Sequence, residues 1–202
     1  MHHAATTRYG PRWAHLGCVG ALTLAVGLAG CAGATPAPVA AGAFTEGDAA
    51  LFDDQVSFLE RPSELSADMR EQWAHEVGVR VRRAQVVAVV RVRTMQDSTT
   101  VAGARHLRLT AIVEEPLSGA PDATLELGVD SGTRAFDVLE RSEDRMLGER
   151  FVAFVRYAVE PETGETVAHF HLCVWSKALV DRVQEVVRRG TKQRVIVYEH
   201  AR

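Results

Sequence analysis

Three residues able to ligate a metal alternate through "VAHFHLCVW", residues 167–175: His169, His171 and Cys173. Imidazole and thiolate are good ligands for zinc or copper. On a β-strand, where side chains alternate, all three would share one face, and Phe170, Leu172 and Val174 the other. The apolar set is the core side, so the His/His/Cys row faces solvent or lies under the helix expected to follow. The pleat restricts what the row can do. Positions i and i+4 of a strand lie about 13 Å apart, so His169 and Cys173 cannot hold one ion together. His169 and His171 could, with His106 from a neighbouring strand or a nearby Glu as the further ligand. Set against this is the usual condition of an antiparallel sheet, polar side chains on its wet face, with Cys173 a lone, partly buried thiol. The second reading is the one expected here: no metal and no cofactor, with His169, His171 and His106 the residues to use if one binds.

Other chemistry is sparse. "HEVGV", from His75 to Val79, is half of a zinc-protease helix motif, but Val79 stands where the second His is needed. The chain has no G-x-S-x-G, no P-loop and no G-x-G-x-x-G, so the common hydrolase and nucleotide signatures are missing. "VDSG" at 129–132 has turn residues, and nothing identifies a base for Ser131. "ERSED" and "EPETGE" carry carboxylates without the spacing of a calcium loop. No residue is assigned a catalytic role, and a non-enzymatic protein is expected.

The elements that would position these residues follow from hydrophobic period. Ser63 or Ser66 can cap a helix running to about Arg83, with Leu65, Met69, Trp73, Val77 and Val81 as an apolar stripe and Arg70, Glu71, Arg80 and Arg82 facing water. Upstream, Thr45 with Asp48 can cap a short helix whose apolar side is Leu51, Phe52, Val56 and Leu59, although "VSFLE" would also suit an extended segment. From Gln85 the period falls to two. Strands are expected over 85–94, 105–115, 123–129, 149–157 and 166–175, joined mostly by short turn-rich links. Ser176 then caps a helix stopped at Gly190, and "RVIVYEH" (194–200) has the composition of a strand added to a sheet edge. The fold class expected is mainly β (α+β): a five-stranded antiparallel OB-like barrel or meander, with an amphipathic helix before it and a C-terminal helix after it.

The N-terminus reads differently. Its first acidic residue is Glu46. Arg8 and Arg12 precede a thirteen-residue apolar run, Leu16 to Leu28, too short for the roughly 20 residues of a membrane-spanning helix. A basic flank, a short apolar core and small residues after it make a secretory signal. The run ends in "LAGC", Leu28 to Cys31, which resembles the lipobox of bacterial lipoproteins. That resemblance implies cleavage before Cys31 and a thioether-linked diacylglycerol on it, usually with an amide-linked third chain. At about 0.8 kcal/mol per buried methylene, such chains hold a protein on a membrane almost permanently. Ala32 in the position after the cysteine favours the outer membrane. The domain boundaries expected are a signal peptide 1–30, lipidated cysteine and Ala/Pro/Gly tether 31–44, a helical extension 45–83, and a β domain 84–202. Thirteen extended tether residues reach at most about 45 Å.

A second resemblance covers about residues 84–176. "A-x-V-V-x-V-V-R-V" (84–92), a strand running into "VEEPLSG" (113–119) and "LGERFVAFVRY" (147–157) stand in an order similar to bacterial domains related to the netrin-like and tissue-inhibitor-of-metalloproteinase OB-folds. The resemblance implies the fold. Inhibition in that group uses a free N-terminal cysteine set against the barrel by disulfides, whereas Cys31 would be acylated and Cys18, Cys31 and Cys173 form no disulfide framework. Net charge is -3, without the basic patch that nucleic acid requires. The expected contacts are the membrane, through the lipid, and an unidentified envelope protein partner.

Overall fold

Alternate side chains of a strand point to opposite faces, and residues 86–92, 151–155 and 170–173 thereby divide theirs between two opposite cores. A computed structural model describes residues 43–101 and 103–200, with side chains as far as Gly190. The signal segment 1–30, Cys31 and the tether to residue 42 lie outside the described residues. In chain order the elements are α1 (Glu46–Ala49), β1 (Gln55–Ser57), a 3-10 turn (Pro62–Glu64), α2 (Ala67–Arg83), β2 (Val86–Thr99), β3 (Arg105–Ser118), β4 (Thr124–Asp130), α3 (Arg134–Arg141), α4 (Glu143–Met146), β5 (Arg150–Val159), β6 (Thr166–Val174) and α5 (Lys177–His200).

The architecture is α+β, with one six-stranded sheet in the order β1-β6-β5-β2-β3-β4. The five long strands pair antiparallel, and β1 pairs with β6 parallel, so the sheet is mixed. It is not closed into the expected barrel: β1 and β4 are its two ends. Nor is it a simple meander, because β5 returns to pair with β2 instead of β4.

On one face Val86, Ala88, Val90 and Val92 of β2 pack with Phe151, Ala153 and Val155 of β5 and Phe170 and Leu172 of β6. Phe136 and Leu139 of α3, together with Met146, complete this core. Thr133 starts α3 by accepting the Phe136 amide at 3.2 Å. On the other face Val87, Val89, Val152, Phe154 and Cys173 lie against Val77 and Val81 of α2, Leu179, Val183 and Val186 of α5, and Phe52. Burial of each such Val, Leu or Phe side chain contributes about 1.5–3 kcal/mol. With both faces covered, Val86–Val90 can be apolar throughout.

Further expectations are corrected. The first helix is one turn only, closed by a Thr45–Asp48 capping box; Phe52 and Val56 follow it in extended chain, and Val56 belongs to β1. Residues 45–83 are therefore not a purely helical extension, since they supply a strand to the sheet. The α2 stripe is buried only in its C-terminal half: Val77 and Val81 are enclosed, whereas Met69 is 57% exposed. On the same helix Arg80 turns inward, and its Nε donates to the Leu51 carbonyl at 3.0 Å. Finally, Gly190 does not stop α5, which continues to His200, so "RVIVYEH" is helical and adds no strand.

Candidate functional site

The His/His/Cys row does share one face of β6, and that face lies under the helical layer and the N-terminal segment. Phe170 and Leu172 are fully buried on the opposite side. His171 is 7% exposed and Cys173 likewise 7%, while His169 is half-buried nearer the edge. What meets the two imidazoles is a pair of consecutive carboxylates just before β1. Asp53 Oδ1 lies 2.7 Å from His171 Nδ1, and Asp54 Oδ2 lies 3.1 Å from His169 Nδ1. An ionised carboxylate can only accept, so each Nδ1 carries the proton and donates, which fixes the tautomer of the neutral ring.

Local backbone geometry makes this double grip possible. Asp54 has φ 55°, the left-handed region that Asp and Asn enter more readily than other side chains. Its own amide donates to the Phe170 carbonyl at 2.9 Å. Its Oδ1 in return accepts the Phe170 amide at 2.8 Å, leaving Oδ2 for His169. One residue thus closes two backbone groups of β6 and orients an imidazole. Phe44 stacks on the other side of that imidazole, with ring centroids 3.9 Å apart and planes 20° from parallel.

Burial works against the Asp53 carboxylate, but the hydrogen bond and charge of His171, a backbone amide and the charge of Arg80 outweigh it. Together they hold Asp53 below the ordinary carboxylate range. Cys173 goes the other way. Burial pushes its thiol up to about 12, only partly opposed by Arg80 and reinforced by Asp53 and Glu76.

An Asp–His pair beside a cysteine has the composition of a nucleophilic triad, so the geometry needs testing against that reading. A nucleophilic thiol is depressed in pKa, reachable, and hydrogen-bonded to its base. Cys173 is raised, buried, and makes no hydrogen bond with His171 among the described residues. The triad reading fails on all three counts. Accordingly, Cys173 in the folded chain should react with iodoacetamide near pH 8 about a thousandfold more slowly than in urea, as read by peptide mapping of residues 167–175. Comparable rates in both states would contradict the burial of the thiol.

Nor does the structure bring the third candidate ligand to the others. His106 lies on β3, separated from β6 in the sheet order by β2 and β5. Its Nδ1 donates to Asp130 Oδ1, its cross-strand neighbour, at 2.7 Å. Among the described residues, no group of three or more His, Cys, Asp or Glu side chains converges as a metal site would. Sequence reasoning missed Asp53, Asp54, Arg80 and Phe44. The only signal was two adjacent carboxylates inside an otherwise apolar stretch, "ALFDDQVSF".

No known protein family, no curated protein and no solved structure matches the chain. The class that fold and site define is therefore a mixed-sheet α+β domain whose most conspicuous polar cluster pins its N-terminal segment to an edge of the sheet.

Proposed function

We propose that the chain is a lipid-anchored protein of the bacterial cell envelope, acting as a non-enzymatic interaction or structural module. One observation carries the reading: the order of basic flank, thirteen-residue apolar run and "LAGC" at Leu28–Cys31. The chemistry of the folded domain is compatible with it. Its titratable cluster is spent on internal hydrogen bonds, and no helix among the described residues is long and apolar enough to cross a membrane. Ala32 favours the outer membrane as the destination. The motif order shared with netrin-like domains bears on fold alone, because an acylated Cys31 cannot offer the free amino group on which inhibition in that group depends.

The test is expression of the full chain in a bacterial host with a labelled fatty acid, beside Cys31→Ser. The wild type should take up label, begin at Cys31 and sediment with membranes. Cys31→Ser should lose the label completely and leave the membrane fraction. A wild-type chain that is unlabelled, or cleaved elsewhere than before Cys31, sinks the proposal.

A further inference from the structure

The sheet face that α2 and α5 cover continues past them into solvent. Val89 and Val152 form a buried cross-strand pair on that face, and the next pair along it is Arg91 of β2 and Arg150 of β5. Like charges set directly opposite destabilise a sheet. Here Glu114 stands with them. The β2–β3 register passes over this residue, pairing Val89 with Glu115 and Val90 with Val113. Its carboxylate serves both cations: Arg91 Nε donates to Oε1 and Arg150 Nε to Oε2, each at 2.7 Å.

Each guanidinium is fixed by a further contact. Arg91 Nη1 donates to the Gly148 carbonyl at 2.6 Å. The Arg150 guanidinium lies over the Trp175 ring, 4.6 Å from its centroid, and the Trp175 amide donates to the Arg150 carbonyl at 3.0 Å. Arg91 Nη2 and both Nη atoms of Arg150 make no hydrogen bond with a described residue. The Arg91 hydrogen bond above all, with that of Arg150, holds Glu114 below the ordinary carboxylate range. Glu114 is the one carboxylate among the described residues that pairs with either arginine, so the cluster keeps one positive charge in excess. Apolar surface gathers at the same place. Of the six exposed large hydrophobic side chains among the described residues, three belong here. Trp175 lies under Arg150, Ile112 is the cross-strand neighbour of Arg91, and Leu147 precedes the Gly148 that holds Arg91.

We propose that this cluster binds an organic acid, a single carboxylate carried on an apolar body. The free Nη groups take the carboxylate, since a guanidinium fork matches its two oxygens. Trp175, Ile112 and Leu147 take the apolar body. An ion pair serving the sheet alone needs one arginine for Glu114; the second, set opposite the first, supplies the charge that a ligand answers. One excess positive charge matches one carboxylate, whereas a phosphate monoester, with a charge of about -1.5 to -2, would leave the site negative. Because Glu114, Gly148 and Trp175 already hold both arginines, little side-chain entropy is lost when the acid arrives. The site is separate from the Asp53–His171 and Asp54–His169 pairs and does not depend on a lipid at Cys31.

The test is a titration of the folded full chain, read by NMR at the Trp175 indole N–H and the Ile112 methyl groups. The probes are 4-phenylbutyrate, acetate and 4-phenylbutanol. The first should shift both signals in a saturable way, and acetate and the alcohol should each bind about tenfold more weakly or less. Arg150→Gln, which keeps an amide donor toward Glu114, should weaken 4-phenylbutyrate about tenfold, and so should Arg91→Gln. Arg108→Gln removes another exposed arginine of β3 and should leave the affinity unchanged. No saturable shift overturns the proposal. So does equal binding of the alcohol, which would mean apolar adsorption, or an equal loss in Arg108→Gln, which would mean diffuse charge attraction. Should Arg150→Gln not fold, Arg91→Gln and the probe series on the wild type decide.

Discussion

Gly119→Ala is expected to destabilise the chain by about 4 kcal/mol or more, enough to prevent folding in a domain of ordinary stability. Gly119 follows β3 directly and has φ +79°, a left-handed conformation that costs a residue bearing a Cβ roughly 1–2 kcal/mol. The larger cost is steric. A Cβ there would lie 2.1 Å from the Gln85 carbonyl oxygen and 3.3 Å from the Val86 Cα. Both are backbone atoms, and this stretch of backbone is tied down. The Gln85 amide donates to the Val155 carbonyl at 2.9 Å, and the Gln85 side-chain oxygen accepts the Tyr157 amide at 2.5 Å. Moving Gln85 aside would therefore unpair the start of β2 from β5, at the centre of the sheet. Gly148 supplies the control, since it has φ +80° and a Cβ there would meet nothing within 4 Å. Gly148→Ala should cost only the conformational part, about 1–2 kcal/mol. Urea denaturation of both variants separates the two terms. If Gly119→Ala lost no more than Gly148→Ala, the close approach of β3 to Gln85 would be wrong.

Much of this fold can be read from side-chain period, and the limits of such reading have physical causes. Strands β3 and β4 are legible because alternation states both the element and its inward face, and β2 and β5 because a β-branched and aromatic run suits a strand covered on both faces. The start of α2 is legible because Ser66 accepts the Met69 amide, and that of α5 because Ser176 accepts the Leu179 amide. "RVIVYEH" misleads because β-propensity is largely a preference for packing beside other strands. The same residues can instead satisfy their backbone inside a helix, and here α5 simply continues. Closure of the sheet is illegible for a different reason: whether its end strands pair depends on twist and register, and alternation is the same in an open sheet and a closed one. In the site, the common face of His169 and His171 was legible from spacing two. Their partners were not, because Asp54 and Asp53 stand 115 and 118 residues away in sequence. Two carboxylates in an apolar stretch look like a solvated turn until the strand they pair with is known.

Phe52→Ala is expected to cost about 3–5 kcal/mol, although Phe52 lies in neither a helix nor a strand. The ring is 1% exposed and belongs to the layer formed by Val77 and Val81 of α2, Val87, Phe154 and Cys173 of the sheet, and Leu179 and Val183 of α5. Deleting it leaves a cavity where two helices and the sheet meet, and close-packed surroundings relax into such a space only in part. The comparison is Met69→Ala. Met69 carries the helical spacing of a core residue, yet at 57% exposed its truncation should change stability by no more than about 0.5 kcal/mol. Urea midpoints for the two variants, measured on the full chain with the slope checked for constancy, test the layer directly. Near-equal losses would mean that the α2 stripe is buried along its whole length and that the N-terminal segment is peripheral.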